Sequence, residues 1–200
     1  VIGGEGELGE RGGDVTTLDV VDIYDPLSRR WIPGPRLSEP HTDPFVMTSG
    51  DRIWVVGGAG DDNRKLQTVE SIGAGETSWR QEPDLPQPAR EGGCCALDGV
   101  LYCGSDDGFF AFDTHAAQWD LQVPQPDKLV KAPLTTAFQG EVWMMGGARD
   151  DQTRCYDPRT RTWRIGPRLP TQQSWGGAAV LQEKLYITGG AHRCETHDVT

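Results

Sequence analysis

Trp143-Met144-Met145-Gly146-Gly147 is followed by Cys155-Tyr156-Asp157-Pro158, then by Trp163, then by Gly166-Pro167-Arg168-Leu169-Pro170. An apolar run ends in a glycine pair. A polar loop, an aromatic-acid step, a tryptophan and a Leu/Pro-rich turn come after it. The same order recurs along the chain, and an internal repeat outranks any single motif. Strand-and-glycine copies stand at Val1-Ile2-Gly3-Gly4, Trp54-Val55-Val56-Gly57-Gly58 and Tyr186-Ile187-Thr188-Gly189-Gly190, with a degraded copy at Leu101-Tyr102-Cys103-Gly104-Ser105. Aromatic-acid copies are Ile23-Tyr24-Asp25-Pro26 and Phe110-Ala111-Phe112-Asp113, and Val69-Glu70-Ser71-Ile72 is degenerate. Trp31, Trp79, Trp119 and Trp163 recur every 40 to 48 residues.

Each part has a physical role. Short apolar runs between Gly/Pro turns read as antiparallel sheet. No segment of helical spacing is long enough to serve as a crossover, so parallel βαβ units are excluded. A glycine pair at a strand end permits positive φ and close backbone approach. One tryptophan per unit is large enough to fill the space between two packed sheets. Four strands per unit at this period match a propeller blade.

The pattern resembles the kelch repeat family, whose units carry a strand-terminal Gly-Gly, a spaced Tyr and a following Trp. The structural positions are Gly57, Gly58, Gly146, Gly147, Gly189, Gly190, Tyr24, Tyr156, Trp31, Trp79, Trp119 and Trp163. The resemblance implies an all-β fold, a partial kelch-type β-propeller of about four to five blades of four-stranded antiparallel sheet. Strands b, c and d of a first unit fall at Val1-Ile2 and 19–32. Full units follow at about 42–82, 90–122 and 132–166, and strands a and b of a last unit at 174–190, making 17 strands. Residues 1–200 thus read as a single propeller fragment cut within a repeat at both ends.

Composition narrows the function. The 200 residues include 26 Gly and 14 Pro, too many turn formers for an all-helical fold. A net charge of −11 opposes phosphate-backbone binding, so nucleic acid is not expected as a partner. No apolar run approaches the roughly 20 residues of a spanning helix, so no membrane is expected either. Five cysteines, none in a CxxC, and the absence of an N-glycosylation sequon favour a cytoplasmic or nuclear address.

Gly4-Glu5-Gly6-Glu7-Leu8-Gly9 fits GxGxxG, but Glu10-Arg11-Gly12-Gly13-Asp14 follows where a dinucleotide site needs a helix. It reads as a glycine-rich b–c loop. His192, Cys194 and His197 lack a fourth ligand for zinc. No catalytic group, metal or cofactor is expected.

The carboxylate pairs Asp61-Asp62, Asp106-Asp107 and Asp150-Asp151 each follow a glycine corner and share one face if the units are blades. They read as turn residues or as an electrostatic docking face for a basic protein partner. As solvated loop groups, all six should tolerate replacement by Asn. The d–a linkers add Arg36, His41, Arg90, Lys128, Lys131, Arg168 and Trp175, the last as an aromatic anchor or as the start of an inner strand. Two function classes follow from the resemblance. One is a protein-interaction module, including the substrate-recognition part of a ubiquitin-ligase adaptor, monomeric unless another domain dimerises it. The other is a kelch-fold enzyme or binding protein acting on sugars, similar to sialic-acid mutarotases or galactose oxidase.

Overall fold

A computed structural model describes residues 1–7 and 15–190. Eighteen strands and no helix lie among them. The strands are β1 (Glu5–Glu7), β2 (Val15–Thr17), β3 (Asp22–Asp25), β4 (Arg30–Pro33), β5 (Phe45–Ser49), β6 (Arg52–Val56), β7 (Val69–Gly73), β8 (Arg80–Gln81) and β9 (Gly93–Leu97). They continue as β10 (Val100–Gly104), β11 (Phe109–Asp113), β12 (Gln118–Trp119), β13 (Leu134–Phe138), β14 (Glu141–Met145), β15 (Thr153–Asp157), β16 (Thr162–Ile165), β17 (Gly177–Leu181) and β18 (Lys184–Thr188). Three sheets have four strands, ordered β5-β6-β7-β8, β12-β11-β10-β9 and β13-β14-β15-β16, and three are pairs, β1-β2, β3-β4 and β17-β18. The three complete units fall where the repeat placed them. No described helix is long and apolar enough to cross a membrane.

The first unit departs from expectation. Val1-Ile2 forms no strand and contributes only a bridge, Ile2 to Val21. The glycine-rich loop instead opens with β1, which pairs with β2 through Glu5↔Thr17 and Gly6↔Thr16. The β-branched run Val15-Thr16-Thr17 supplies the extended partner. Gly6 leaves room for the Leu18 side chain, which would lie 3.1 Å from a Cβ there.

The degenerate copy at Val69 still forms a strand. Val69 pairs with Val56, and Glu70 is fully buried. Its carboxylate accepts from the Ser38 N–H (3.0 Å), the Gln81 amide (2.7 Å) and the Ser38 hydroxyl. These donors offset the desolvation cost of a buried acid.

The chain divides into two compact units, 1–91 with 113–119, and 92–112 with 120 onward. In the first, Val21, Leu37 and Val55 form a core against which Ile2 and Trp79 pack. In the second, Cys95, Tyr102, Phe109, Ala111, Val142, Met144 and Tyr156 form the core, with Trp163 packed on it. There Phe109 meets Trp163 edge-on at 4.8 Å and Tyr156 at 5.2 Å between centroids.

The repeat tryptophans do more than fill space. Each of Trp79, Trp119 and Trp163 is half-buried, and its indole N–H donates at 2.8 Å to a proline carbonyl one unit earlier: Pro35, Pro83 and Pro124. Trp31 instead leaves 60% of its surface exposed and leans on Tyr24 at 5.4 Å. The cross-strand pairs Tyr24↔Trp31 and Tyr156↔Trp163 share one register, so the two signature aromatics of a unit meet on the same sheet.

The glycine pairs are corners. Gly57 and Gly58 have φ of 59° and 101°, and Gly146 and Gly147 have 63° and 113°. A Cβ on Gly57 would clash with the Ala89 carbonyl oxygen, and one on Gly146 would sit 2.6 Å from that of Gln173. Only glycine supplies both the dihedral and the space. Each corner then pins two linkers. Gly58 N–H donates to Ala89 O and Ala59 N–H to Thr42 O; Gly147 N–H donates to Gln173 O and Ala148 N–H to Lys131 O, all at 2.8 Å.

Candidate functional site

Each linker pinned in this way ends in a left-handed residue two positions before the next inner strand: Asp43 (φ 50°), Glu91 (51°), Ala132 (51°) and Trp175 (57°). The residue that follows is Pro44, Gly92, Pro133 or Gly176. In the first unit Glu91 N–H donates to Asp43 O at 3.2 Å, and in the second Trp175 N–H donates to Ala132 O at 3.4 Å. Asp tolerates positive φ, whereas a bulky side chain there is an outlier. Backbone held in such a region tends to mark functional positions. Trp175 keeps 54% of its surface exposed in this conformation.

Trp175 borders a cavity of about 300 Å³ in the second unit. Lys131, Arg149, Gln172 and Ser174 complete its wall over the 147–148 backbone. Two cationic residues thus share the lining with an amide, a hydroxyl and an indole.

Beside it lies an ionic network whose two central groups, Asp150 and Arg154, are buried while Lys128 and Asp127 reach solvent. Asp150 is 7% exposed and accepts from the Gln152 N–H at 3.0 Å. Lys128 Nζ stands 3.2 Å and an Arg154 nitrogen 3.1 Å from its Oδ2. Arg154, also buried, reaches Asp127 at 2.8 Å. Burial pushes the Asp150 carboxyl up, but the Gln152 N–H and the Lys128 and Arg154 charges together hold it below its ordinary value.

The expected site residues divide between the two units. In the first, Arg36 pairs with Asp19. Arg90 pairs with Glu91 at 3.3 Å and bonds the Asn63 side chain. Asp61 accepts from Thr17 N–H at 2.8 Å and from the Thr16 hydroxyl, tying it to β2. Asp62 accepts from Arg64 N–H in a turn. His41 is fully buried, and its Nδ1–H donates to Gly57 O at 2.7 Å. It supports the Gly57 corner from inside and presents no surface. In the second unit Asp106 is exposed, and Asp107 N–H bonds the Ser105 hydroxyl in a turn. Asp151 pairs with Arg168. Lys128 serves the Asp150 network.

Two expectations therefore change. His41 is a core residue because its ring satisfies a corner carbonyl. Asp150 is not a solvated loop acid, because two cations and a backbone amide enclose it. The glycine positions 57, 58, 146, 147, 189 and 190 all take positive φ, as corners require. His192, Cys194 and His197 fall outside the described residues. Among those described, no group of three or more His, Cys, Asp or Glu is placed to hold a metal ion.

Arg149 and Gln172 escaped the sequence reading. Arg149 occupies the fourth place of Gly-Gly-Ala-X, where the first unit's Gly57-Gly58-Ala59 carries Gly60. That contrast was the available signal.

Comparison with known proteins places this geometry. Residues 12–123 match the family model described as "Protein of unknown function (DUF1668)". The human Kelch-like protein 33 is 31% identical over 127 residues, covering 56% of this chain and 24% of that protein. Kelch-like protein 26 of Danio rerio is 24% identical over 206 residues, covering 95% of this chain and 33% of that protein. The chain thus spans about a quarter to a third of the length of these relatives. Among solved structures, that of YjhT superposes with a TM-score of 0.79 at 11% identity, covering 96% of this chain and 73% of that one. The repeat, the four-stranded antiparallel blades and these likenesses agree on a kelch-type β-propeller fold, and the chain belongs to the kelch-repeat proteins, within the family whose description is Protein of unknown function (DUF1668).

Proposed function

We propose that the chain is a kelch-type protein-interaction module that recognises its partner through its linkers and b–c loops. One observation carries this reading: Trp175, more than half exposed, is held in left-handed backbone beside the cavity, in a slot that carries Asp43, Glu91 and Ala132 in other units. A rigid, exposed aromatic on a fixed scaffold is the usual form of a binding hot spot. Basic groups on the partner would meet exposed carboxylates, Asp61 and Asp62 on the first unit or Asp106 on the second. The finer assignment, substrate recognition within a ubiquitin-ligase adaptor, rests on the resemblance to kelch proteins.

The test is capture from lysate by the wild-type chain and by Trp175→Asp, with the recovered proteins quantified by mass spectrometry. The slot already carries Asp in Asp43, so the substitution suits the backbone. Loss of a defined set of proteins with an unchanged melting temperature supports the module. Identical recovery by both refutes a role for this face. Cullin subunits among the proteins recovered with the full-length parent would support the adaptor assignment.

A further inference from the structure

We infer that Cys94 and Cys103 form a peroxide-reactive dithiol, which oxidation converts to a disulfide across β9 and β10. The register places the two sulfurs. β9 and β10 pair as Leu97↔Val100, Ala96↔Leu101, Cys95↔Tyr102 and Cys94↔Cys103. Asp98 and Gly99 close the hairpin with φ of 50° and 79°, the two positive values of a two-residue type I′ turn. The pair flanking such a turn exchanges both hydrogen bonds, and bonded and non-bonded pairs alternate from there. Leu97↔Val100 and Cys95↔Tyr102 are therefore the hydrogen-bonded pairs, and Cys94↔Cys103 is a non-hydrogen-bonded one. At such a site the Cα atoms stand about 4.5 Å apart with both side chains on one face. A disulfide spans Cα separations of about 4.4–6.8 Å, so the strands need neither part nor slide.

The fold does not require thiols here. The same step of the other inner hairpins holds Val46↔Val55, Thr135↔Met144 and Ala178↔Ile187. The other described cysteines are placed differently. Cys95 lies with Tyr102 in the second unit's core, on the opposite side of the sheet, and Cys155 stands opposite Trp143 and Arg164. All four are thiols. Cys94 is half-buried, so oxidant reaches it, whereas Cys103 is fully buried and burial pushes its thiol up. The Cys94 thiolate attacks one oxygen of hydrogen peroxide. The O–O bond breaks, and the departing hydroxide takes the proton that the thiol released, giving water and a Cys94 sulfenic acid. The Cys103 sulfur then attacks the Cys94 sulfur. The S–S bond forms, the S–O bond breaks, and the second hydroxide leaves as water with the Cys103 proton. Two thiols and one peroxide thus give one disulfide and two waters. Fixed proximity offsets the scarcity of Cys103 thiolate. Gly93↔Gly104 is the next pair and the last of the ladder. The disulfide therefore clamps the open end of the hairpin, where Ser105 begins the loop that carries Asp106 and Asp107.

The experiment treats the full chain, reduced and freed of reductant, with hydrogen peroxide, then caps the remaining thiols with N-ethylmaleimide in denaturant. Chymotryptic peptides, mapped by mass spectrometry without reduction, should show Cys94 joined to Cys103, and dithiothreitol should release them. In C103S the Cys94 sulfenic acid has no thiol opposite, and its capture by dimedone should rise at least about five-fold over wild type. C94S should form no disulfide at Cys103. In the oxidised chain, exchange of the Ser105 amide, which donates to Gly108 O at 3.0 Å, should slow at least about three-fold. Complete capping of the peroxide-treated wild type overturns the inference. A disulfide through Cys95, a disulfide between two chains, or a Cys94 sulfenic acid that persists beside an intact Cys103 thiol overturns it as well. Unchanged exchange at Ser105 overturns the clamp. The wild-type peptide map decides the pairing even where a variant unfolds.

Discussion

Replacing Trp163 by alanine should be among the costliest single changes in the second unit. Its ring meets Phe109 at 4.8 Å and Tyr156 at 5.2 Å, and its N–H donates to Pro124 O at 2.8 Å. Truncating a buried tryptophan costs about 3–5 kcal/mol. Partial exposure reduces that figure, and loss of the hydrogen bond restores about 1 kcal/mol of it. The expected destabilisation is about 3–4 kcal/mol. Trp31 occupies the equivalent register but is 60% exposed, with Tyr24 as its ring neighbour. Its alanine variant should cost about 1 kcal/mol, mostly the aromatic pair. Trp163→Phe keeps most of the packing and removes the donor, so it should fall between them at about 1–2 kcal/mol. Urea unfolding followed by far-UV circular dichroism reads all three without relying on tryptophan fluorescence. Equal shifts for Trp163→Ala and Trp31→Ala would refute both the register and the role assigned to the indole–proline bond.

Other outcomes follow from the same geometry. Far-UV circular dichroism should show sheet with almost no helix; a helical fraction near the globular average of roughly one third would contradict the strand assignment. Asp150→Asn breaks a buried ionic contact and should cost toward the lower end of about 3–5 kcal/mol, since Arg154 keeps Asp127, whereas Asp106→Asn should stay within about 0.5 kcal/mol in the same melt. The Asp150 carboxyl sits below its ordinary 3.8 in the folded chain, so its stabilisation is present above about pH 4 and lost as pH falls through the lower folded value; an Asp150→Asn variant should show a shallower acid limb in stability measured against pH. Gly146→Ala should cost about 2 kcal/mol or more through strain and the Gln173 carbonyl. Gly50→Ala, at φ 60° with open space around it, should cost only about 1 kcal/mol; equal losses would show that crowding at the corner contributes nothing.

The blades were legible in the sequence because their signals are local and periodic. Gly-Gly corners, Tyr–Trp pairs and Leu/Pro turns each satisfy a backbone demand within one unit, so Trp54–Gly58 and Trp143–Gly147 announce the same object. Glu70 was not legible as the equal of Arg154, although both are buried charges at the second position of the unit's third strand. One is satisfied by Ser38 and Gln81, the other by Asp127 and Asp150, and those partners come from other elements of each unit. The β1-β2 hairpin was hidden because a run of Gly and Glu has weak strand propensity, and its pairing with Val15-Thr16-Thr17 is a tertiary choice. Asp150 and Asp106 look alike in sequence. Only the three-dimensional placement of Lys128 and Arg154 makes one a buried structural acid and leaves the other in water.

The candidate site was obscured for a different reason. Asp43, Glu91, Ala132 and Trp175 share no side-chain chemistry, and the linkers that carry them differ in length. What they share is a left-handed backbone slot, fixed from outside by a glycine corner and followed by Pro or Gly. Because the corner and the linker hydrogen bonds hold that slot, its side chain is released from any role in folding. Three units place an acid or a methyl group there, and the fourth places an indole beside two cations. A bulky residue gains nothing in stability from positive φ, since the conformation costs it of the order of 1–2 kcal/mol. Packing does not recover that cost, because more than half of the indole faces solvent. The same slot shows that alanine would suffice for the fold. What the strained tryptophan adds is an aromatic face at the cavity mouth, which is the feature that the proposed interaction module would use.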